Sequence, residues 1–542
     1  MRPNLRPAAT TAPVKTRPPS AWAPLREPVF RAIWTASVVS NLGTWMHDVA
    51  ASWLMASLSH SALVIALMQT ATTAPVFLLA LPAGTAADLM DRRRWLLFSQ
   101  TWMLLAAGAL AVLTGYHLIA PWSLLALTFA LGIGNALNAP AWQSIVPDLV
   151  GRENLHQGIA LNGMSNNLAR AVGPAIGGLI VAASGAQAVF LLNALSFIAV
   201  IIALWRWRGV PTPAAKGREP FVTGMRAAMR YASHSREVTR VLVRAIAFLV
   251  FASVFWSLLP ALGRNELNLD ALSYGTLYGA VGSGAVLAAA FRPRLHSRFG
   301  NEGLLGVAVC VFAAAVAMLA WVRNLQVLAV LLLLTGGAWL TFMASLNASA
   351  QVTLPAWVRA RGMAVYIVVT QGCLALGSAF WGWIAEHAGL SLAYVTAALG
   401  MVLGWLVTRR LKLSHGGAAG DLEPTHHWPF PERADGRELP EKAAVMVTIE
   451  YLIAPEDRQK FLEVMHEIKL WRRRDGAQRW RLFYDVEESE RYIELYTVAS
   501  WGDHVRHHDR ATPRDRRLEE RVLALHRGDG PPRLVHMLEE RP

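Results

Sequence analysis

Asp48 lies midway along a long apolar run, residues 30–57. If that run crosses a bilayer, an unpaired charge there costs at least ~2.5 kcal/mol, so the residue needs a reason to be present. Asn41, Thr44, Asp48 and Ser52 stand at i, i+3, i+7 and i+11, which a helix gathers into one polar stripe. A stripe of that kind belongs against a water-filled cavity rather than lipid. A carboxyl group held away from bulk water exchanges its proton near neutral pH, which makes Asp48 a candidate proton carrier. The alternative is a structural carboxylate bonded to a neighbouring helix. His47 is adjacent in sequence but points about 100° away.

A second ridge runs through Asn162, Asn166 and Arg170 at i, i+4 and i+8, continuing into Gly173 and Gly177. A guanidinium fixed inside a membrane either binds an anionic group of a substrate or holds Asp48. Gly173, Gly177 and Gly178 are explained by close helix packing, and Pro174 by a bend where one backbone bond is lost. Glu386 and His387 sit at the end of another apolar run, where they either relay protons or mark the membrane interface. His504, His507 and His508 share a helix face at metal-ligand spacing. No further ligand accompanies them, so a solvated face is expected and no metal. Cys310 and Cys373 fall in apolar runs and read as small buried hydrophobes. No phosphate-binding loop is present, and no cofactor is expected.

These residues need long apolar helices to position them. Of 542 residues 54% are hydrophobic and only 16% charged, well under the roughly 25% of a soluble chain. Mean hydropathy is +0.33, and the 21 Trp residues suit membrane interfaces. Twelve stretches of about 20 or more residues can span lipid, from 30–57 through 271–291 and 302–322 to 390–411. Basic residues cluster in alternate connections: Arg92–Arg94, Arg152, segment 206–240, Arg292–Arg298, Arg359–Arg361 and Arg409–Lys412. That bias puts both termini in the cytoplasm of a bacterial cell, with the chain multi-pass in the inner membrane.

Residues 441–542 hold 19 of the 51 Lys and Arg and 20 of the 37 Asp and Glu, so the net charge of +14 belongs to the apolar part. A nucleic-acid partner would need that excess on a soluble face, and none is expected. The expected divisions are a disordered basic tail (1–28), a six-helix half (29–207), a central cytoplasmic loop (208–237), a second six-helix half (238–412), a linker (413–440) and a soluble domain (441–542). The halves share Gly158/Gly362, Gly173/Gly377 and Gly178/Gly382, each pair 204 residues apart, the mark of a parallel repeat.

Within the soluble domain, strand-like segments are expected at 444–453, 480–486, 492–499 and 533–538, with helices at 455–471 and 501–526. The order β-α-β-β-α-β predicts a ferredoxin-like α+β fold. Trp480, Phe483, Tyr484, Tyr492 and Tyr496 are available to line a pocket or to fill a core or dimer interface.

The connection Gly84-Thr-Ala-Ala-Asp88-Leu-Met-Asp91-Arg92-Arg93-Arg94 resembles the signature loop of the major facilitator superfamily. Arg170-Ala-Val-Gly173-Pro174-Ala-Ile-Gly177-Gly178 is similar to the Gly-Pro motif of its drug/proton antiporters. Asn41-Leu-Gly-Thr-Trp45, Pro140-Ala-Trp-Gln-Ser, Leu161-Asn162, Asn167-Leu-Ala-Arg170, Gly377-Ser and Trp381-Gly382 resemble the transmembrane secretion effector subfamily, which includes enterobactin exporter-like proteins. The resemblance covers about residues 28–412. The second loop copy, at Arg292-Pro-Arg294, lacks the aspartate.

The resemblance implies an all-α major facilitator fold and a proton-coupled transporter that exports a siderophore, drug or other metabolite by alternating access. Its partners would be that small molecule, protons and the bilayer. It implies that Asp88, Asp91 and Arg92–Arg94 tie the halves together when the cytoplasmic side closes. Ser500-Trp501-Gly-Asp-His504 and His507-His508-Asp-Arg510 look like the tail of some subfamily members, similar in shape to antibiotic-biosynthesis monooxygenases. A catalytic tail, or uptake in place of export, is the alternative. Self-association through exposed strand edges is the preferred role of that tail.

Overall fold

The computed structural model describes residues 20–151, 153–207, 221–355, 357–413, 443–509 and 511–540. The first half comprises α1 (Pro28–Leu58), α2 (Ala62–Leu89), α3 (Arg92–Gly115), α4 (Pro121–Val150), α5 (Leu155–Ser184) and α6 (Ala186–Arg206). After α7 (Phe221–His234) come α8 (Arg236–Ala261), α9 (Ala271–Met318), α10 (Leu325–Thr353), α11 (Arg359–Ala388) and α12 (Leu390–Thr408). Ten of the described helices are long and apolar enough to cross a membrane. α1, with Arg31, His47 and Asp48, falls outside that count. The 48-residue α9 would run ~70 Å if straight. It turns back at Gly300, where φ is +64°, and so supplies two spans. Counting α1 with these ten and α9 twice gives twelve helical limbs, the number the sequence predicts.

The internal repeat reappears in the packing. A β-carbon on Gly158 would lie 3.1 Å from Val150, and one on Gly362 2.5 Å from Leu354, also 204 residues apart. Gly173 sits under Trp45 and Leu42 of α1, while Gly377 sits under Val250 and Ser253 of α8. Gly178 meets Gly275 of α9, and Gly382 meets Ala66 and Leu63 of α2. Thus α5 relates to α1 and α9 as α11 relates to α8 and α2. In each pair the glycines bring one helix against its own half and against the other half.

The end of the bundle that carries Arg92–Arg94 is here called the basic end. Several bonds join the halves at the other end. Glu386 Oε2 accepts from Ser61 Oγ (3.0 Å) and from the Leu63 N–H (3.3 Å), capping α2. Asn265 Nδ2 donates to the His60 carbonyl (3.1 Å), and Arg264 lies 5.2 Å over Trp53. Deeper in, Thr70 Oγ1 donates to the Ala375 carbonyl (2.8 Å).

Segment 208–237, read as a loop, contains α7, and residues 208–220 lie outside the described residues. The apolar face of α7 buries Met225, Ala228, Tyr231 and Ala232 against Leu354 and Val358, with Leu81 of α2 packed beside them.

The soluble domain has β1 (Val445–Leu452), α13 (Arg458–Asp475), β2 (Arg479–Tyr484), β3 (Arg491–Val498), α14 (Trp501–Asp509), α15 (Pro513–Leu523) and β4 (Arg533–Leu538). The sheet is antiparallel in order β2-β3-β1-β4, which is the ferredoxin-like arrangement. The helix expected over 501–526 is two helices. Thr512 caps α15, bonding Asp515 Oδ2 through both its N–H and its hydroxyl, and Pro513 follows at the first helical position. His504 also departs from expectation. It is buried beside Trp501 and His536 rather than on a solvated face. The side chains of His507 and His508 lie outside the described residues.

Candidate functional site

α1 stays partly accessible at Asn41, Thr44, Asp48 and Ser52 while Gly43, Met46, His47, Val49 and Ala50 are buried, so the polar stripe faces space inside the bundle. Thr44 Oγ1 bonds back to the Ser40 carbonyl (3.0 Å), satisfying its hydroxyl within the helix. Across that space stands α9 of the other half. Among the described residues no donor bonds the Asp48 carboxylate. His47 turns the other way and packs on Phe190 with rings 4.7 Å apart, neither nitrogen bonded.

The ridge on α5 meets α1. Asn41 Nδ2 donates to Ser165 Oγ (3.0 Å), and Trp45 Nε1 donates to Asn166 Oδ1 (3.4 Å). The Arg170 guanidinium lies 5.1 Å over the Trp45 ring, a cation–π contact of ~0.5–2 kcal/mol. Arg170 makes no ion pair with Asp48 among the described residues. Of the two roles its sequence position suggested, holding Asp48 is not the one seen. Asn162 is half-buried on the same helix.

An aromatic cluster surrounds the Asp48 level and has no counterpart in the sequence reading. Trp53 of α1 stacks on Tyr274 (5.1 Å), Tyr274 neighbours Tyr278 (5.6 Å), and Tyr278 neighbours Trp256 (5.9 Å), which meets Trp339 edge-on (5.3 Å). Four helices, α1, α8, α9 and α10, contribute to it. Nothing local in the sequence links residues 53, 256, 278 and 339.

At the basic end Asp91, Arg92, Arg93 and Arg244 bond within their own half. Asp91 caps α3 by accepting the Arg94 N–H (2.8 Å). Arg92 pairs with Asp148 of α4 (2.8 Å) and donates to the Ser144 carbonyl (3.2 Å). Arg93 donates to the Leu204 (2.9 Å) and Trp205 carbonyls at the C-terminus of α6. Gly84 lies on α2 with open space beside it, and the Asp88 side chain lies outside the described residues. In the second half Arg244 pairs with Glu302 (2.7 Å) and donates to the Thr408 and Arg409 carbonyls, while Glu302 accepts the Leu413 N–H (2.7 Å). That cluster was missed because its members lie in three separate helices.

The helix-five motif is shared between partners. Gly173 and Gly177 receive Trp45 and Met46 of α1, and Gly178 receives Gly275 of α9. Pro174 interrupts α5 at the same level.

In the soluble domain Glu494, fully buried, accepts from Trp480 Nε1 (2.8 Å), Tyr451 Oη (3.1 Å) and Arg472 Nε (3.4 Å). Arg472 is sandwiched between Trp471 (4.2 Å) and Tyr496 (5.0 Å). Tyr492 and Tyr496 are core, whereas Phe483 and Tyr484 are exposed. The domain docks on α7 and on the first turn of α8: Arg474 lies 5.4 Å over Tyr231 of α7, and Arg514 pairs with Glu237 of α8 (2.6 Å).

Two inverted-partner helix pairs around a polar stripe, with twelve helical limbs, define a membrane transporter of the major facilitator type. The chain belongs to the family described as "Transmembrane secretion effector", whose profile matches residues 19–542 and so includes the soluble domain. It is 22% identical over 403 residues to the "Staphyloferrin A transporter" of Staphylococcus aureus, spanning 73% of this chain and 98% of that protein. It is 27% identical over 387 residues to the "Multidrug efflux pump Tap" of Mycolicibacterium fortuitum, spanning 68% and 92%. It is 28% identical over 324 residues to the "Enterobactin exporter EntS" of Escherichia coli O1:K1, spanning 59% and 76%. Among solved structures, an auto-inhibited POT family peptide transporter superposes with TM-score 0.59 at 11% identity, covering 72% of this chain and 99% of that one. The nucleoside transporter NupG superposes with TM-score 0.56 at 11% identity, covering 71% and 98%.

Proposed function

We propose that this transporter is a proton-coupled exporter of a small organic molecule, with Asp48 carrying the proton. The supporting observation is Asp48 itself: a membrane-interior carboxyl on the polar stripe of α1, with no bonded partner among the described residues. A group on one half that faces the other is placed to feel their relative movement. The glycine contacts of α5 with α9 and of α11 with α2 supply surfaces on which the halves rock.

Export of a siderophore, drug or related metabolite is favoured by the family description and by the names of the relatives. The aromatic cluster Trp53, Tyr274, Tyr278, Trp256 and Trp339 suits flat or cationic substrates through stacking and cation–π contact. Arg170 serves as the anion-facing group of the same site. The basic end is cytoplasmic, with both termini inside the inner membrane. Asp88, Asp91 and Arg92–Arg94 form the gate between the halves there, and Arg92 and Arg93 are parked on their own half in the state with the opposite end closed. The divisions are the tail 1–28, the halves 29–207 and 238–412, the connection 208–237, the linker 413–440 and the domain 441–542.

The soluble domain is a self-association and regulatory module. Its sheet face away from the helices presents Met446, Ile493, Leu495, Phe483 and Met537 among Glu450, Arg481 and Arg491, a mixed face suited to a second copy. Light scattering of the full-length protein against a chain ending at residue 413 tests that role, and equal mass per chain in both would contradict it. The direction of transport is tested in everted vesicles loaded with a panel of siderophores and lipophilic cations. ATP-independent accumulation driven by an imposed pH gradient is expected, and accumulation only in right-side-out vesicles would mean uptake.

A further inference from the structure

The descending limb of α9, its returning limb after Gly300, and α10 enclose a groove in the half of the bundle nearer the basic end. It arises from a tight crossing. A β-carbon on Gly284 would collide with the Leu333 carbonyl, and one on Gly336 with the Val281 carbonyl, so α9 and α10 touch backbone to backbone there. Beyond the crossing they splay apart, and the returning limb closes the third wall. The space measures about 390 Å³. Its walls are Leu287, Phe291, Leu295, Leu304, Val307 and Leu334, with Arg294 the only charged lining residue. Phe291 is 50% exposed and Val307 and Leu334 46%, so the protein leaves these walls uncovered.

We propose that this groove binds one acyl chain of an anionic phospholipid, with the lipid phosphate held by Arg294. The two neighbouring arginines are already engaged: Arg292 donates to Ser345 Oγ (3.4 Å) and Arg298 lies 5.7 Å over Phe299. Arg294 makes no ion pair among the described residues and lines the groove. At ~30 Å³ per molecule the space would hold roughly a dozen waters. Walls so apolar offer those waters almost no partners, whereas a hydrocarbon chain fills them directly. A tail gains little by leaving one apolar medium for another, so selection among lipids falls to the charge. One guanidinium near the membrane surface favours an anionic headgroup by about fivefold. The site is independent of the transport reading, since no residue of it belongs to the Asp48 stripe or the aromatic cluster.

The test is native mass spectrometry of the full-length protein released from nanodiscs of mixed phosphatidylglycerol and phosphatidylcholine, for wild type, Arg294→Gln and Leu334→Trp. Wild type is expected to retain one phosphatidylglycerol in preference to phosphatidylcholine. Arg294→Gln should lose about fivefold of that preference, and Leu334→Trp, which fills the groove, should retain neither lipid at this stoichiometry. An unchanged preference in Arg294→Gln, an exposed position where folding is not at stake, would overturn the proposal. So would retention of the lipid by a folded Leu334→Trp.

Discussion

Gly178 of α5 and Gly275 of α9 meet across the two halves so closely that a β-carbon on either would lie 2.6 Å from the α-carbon of the other. Atoms at that distance must move apart, and here the obstruction is backbone, which cannot rotate away. Alanine at either position should therefore separate the halves along this line and lower transport at least tenfold. Gly108, which has open space beside it, is the control. Alanine there should leave transport unchanged and raise helix stability by up to ~1 kcal/mol. Initial transport rates at matched expression decide the matter, and equal rates for Gly178→Ala and Gly108→Ala would contradict the tight contact.

Arg244 and Glu302 form a pair at the point where α12 leaves the bundle, with Arg244 only 4% exposed. Removing Arg244 strands the Glu302 charge and the Thr408 and Arg409 carbonyls. Arg244→Met should cost ~3–5 kcal/mol, read as a fall in the melting temperature of the detergent-solubilised protein. The double variant with Glu302→Leu should recover part of that loss, because the uncompensated charge is gone. A melting temperature within a degree of wild type for Arg244→Met would show that the pair carries no stability.

The soluble domain meets α7 in a buried contact and the start of α8 in an exposed one, and these should differ in weight. Tyr231 is 3% exposed and covers Arg474, while Arg514, paired with Glu237, is about half exposed. Exposed ion pairs contribute ~0–1 kcal/mol, whereas truncating a buried aromatic costs ~3–5 kcal/mol. Tyr231→Ala should release α7 to hydrogen exchange, and Arg514→Glu should alter it only slightly. The reverse order would place the docking energy in the ion pair.

The domain core should also set a pH window. Burial first, and then the Glu494 carboxylate, hold the Tyr451 phenol well above its ordinary range against the pull of Arg472. Burial likewise pushes Tyr496 up to about 12. Once unfolded, these phenols ionise near ~10, so the unfolded state loses protons first and stability falls as pH rises past ~10. Burial lowers the His536 imidazole. The unfolded state then takes up a proton first, and stability falls as pH drops below ~6.5. Exchange protection of β3, corrected for intrinsic rates, should peak between these limits. A flat profile from pH 7 to 11 would contradict the buried-phenol account.

How much of this was legible depended on periodicity. The spans and β4, expected and found at 533–538, follow from apolar runs and alternation. The repeat was legible because Gly158, Gly173 and Gly178 recur at one offset, and the structure gives each pair equivalent partners. α7 was lost because 14 residues with a half-polar face are too short to span lipid and too basic to stand out. The break between α14 and α15 was written in the sequence as Thr512-Pro513-Arg514-Asp515, a cap signature overridden by the helical period around it. The aromatic cluster and the Arg244–Glu302 pair were not legible, since contacts between helices 22 to 221 residues apart leave no local pattern. Asp48 stood out because a charge in an apolar run is costly, while the stacking of Trp53 on Tyr274 of the other half required the fold.

The measurement that bears most directly on Asp48 is substrate-triggered proton movement in everted vesicles, for wild type and Asp48→Asn. Proton release on substrate addition in wild type, abolished in Asp48→Asn while the variant still folds and binds substrate, is the expected result. Proton movement undiminished in Asp48→Asn would contradict Asp48 as the carrier and leave it a structural carboxylate of the interface.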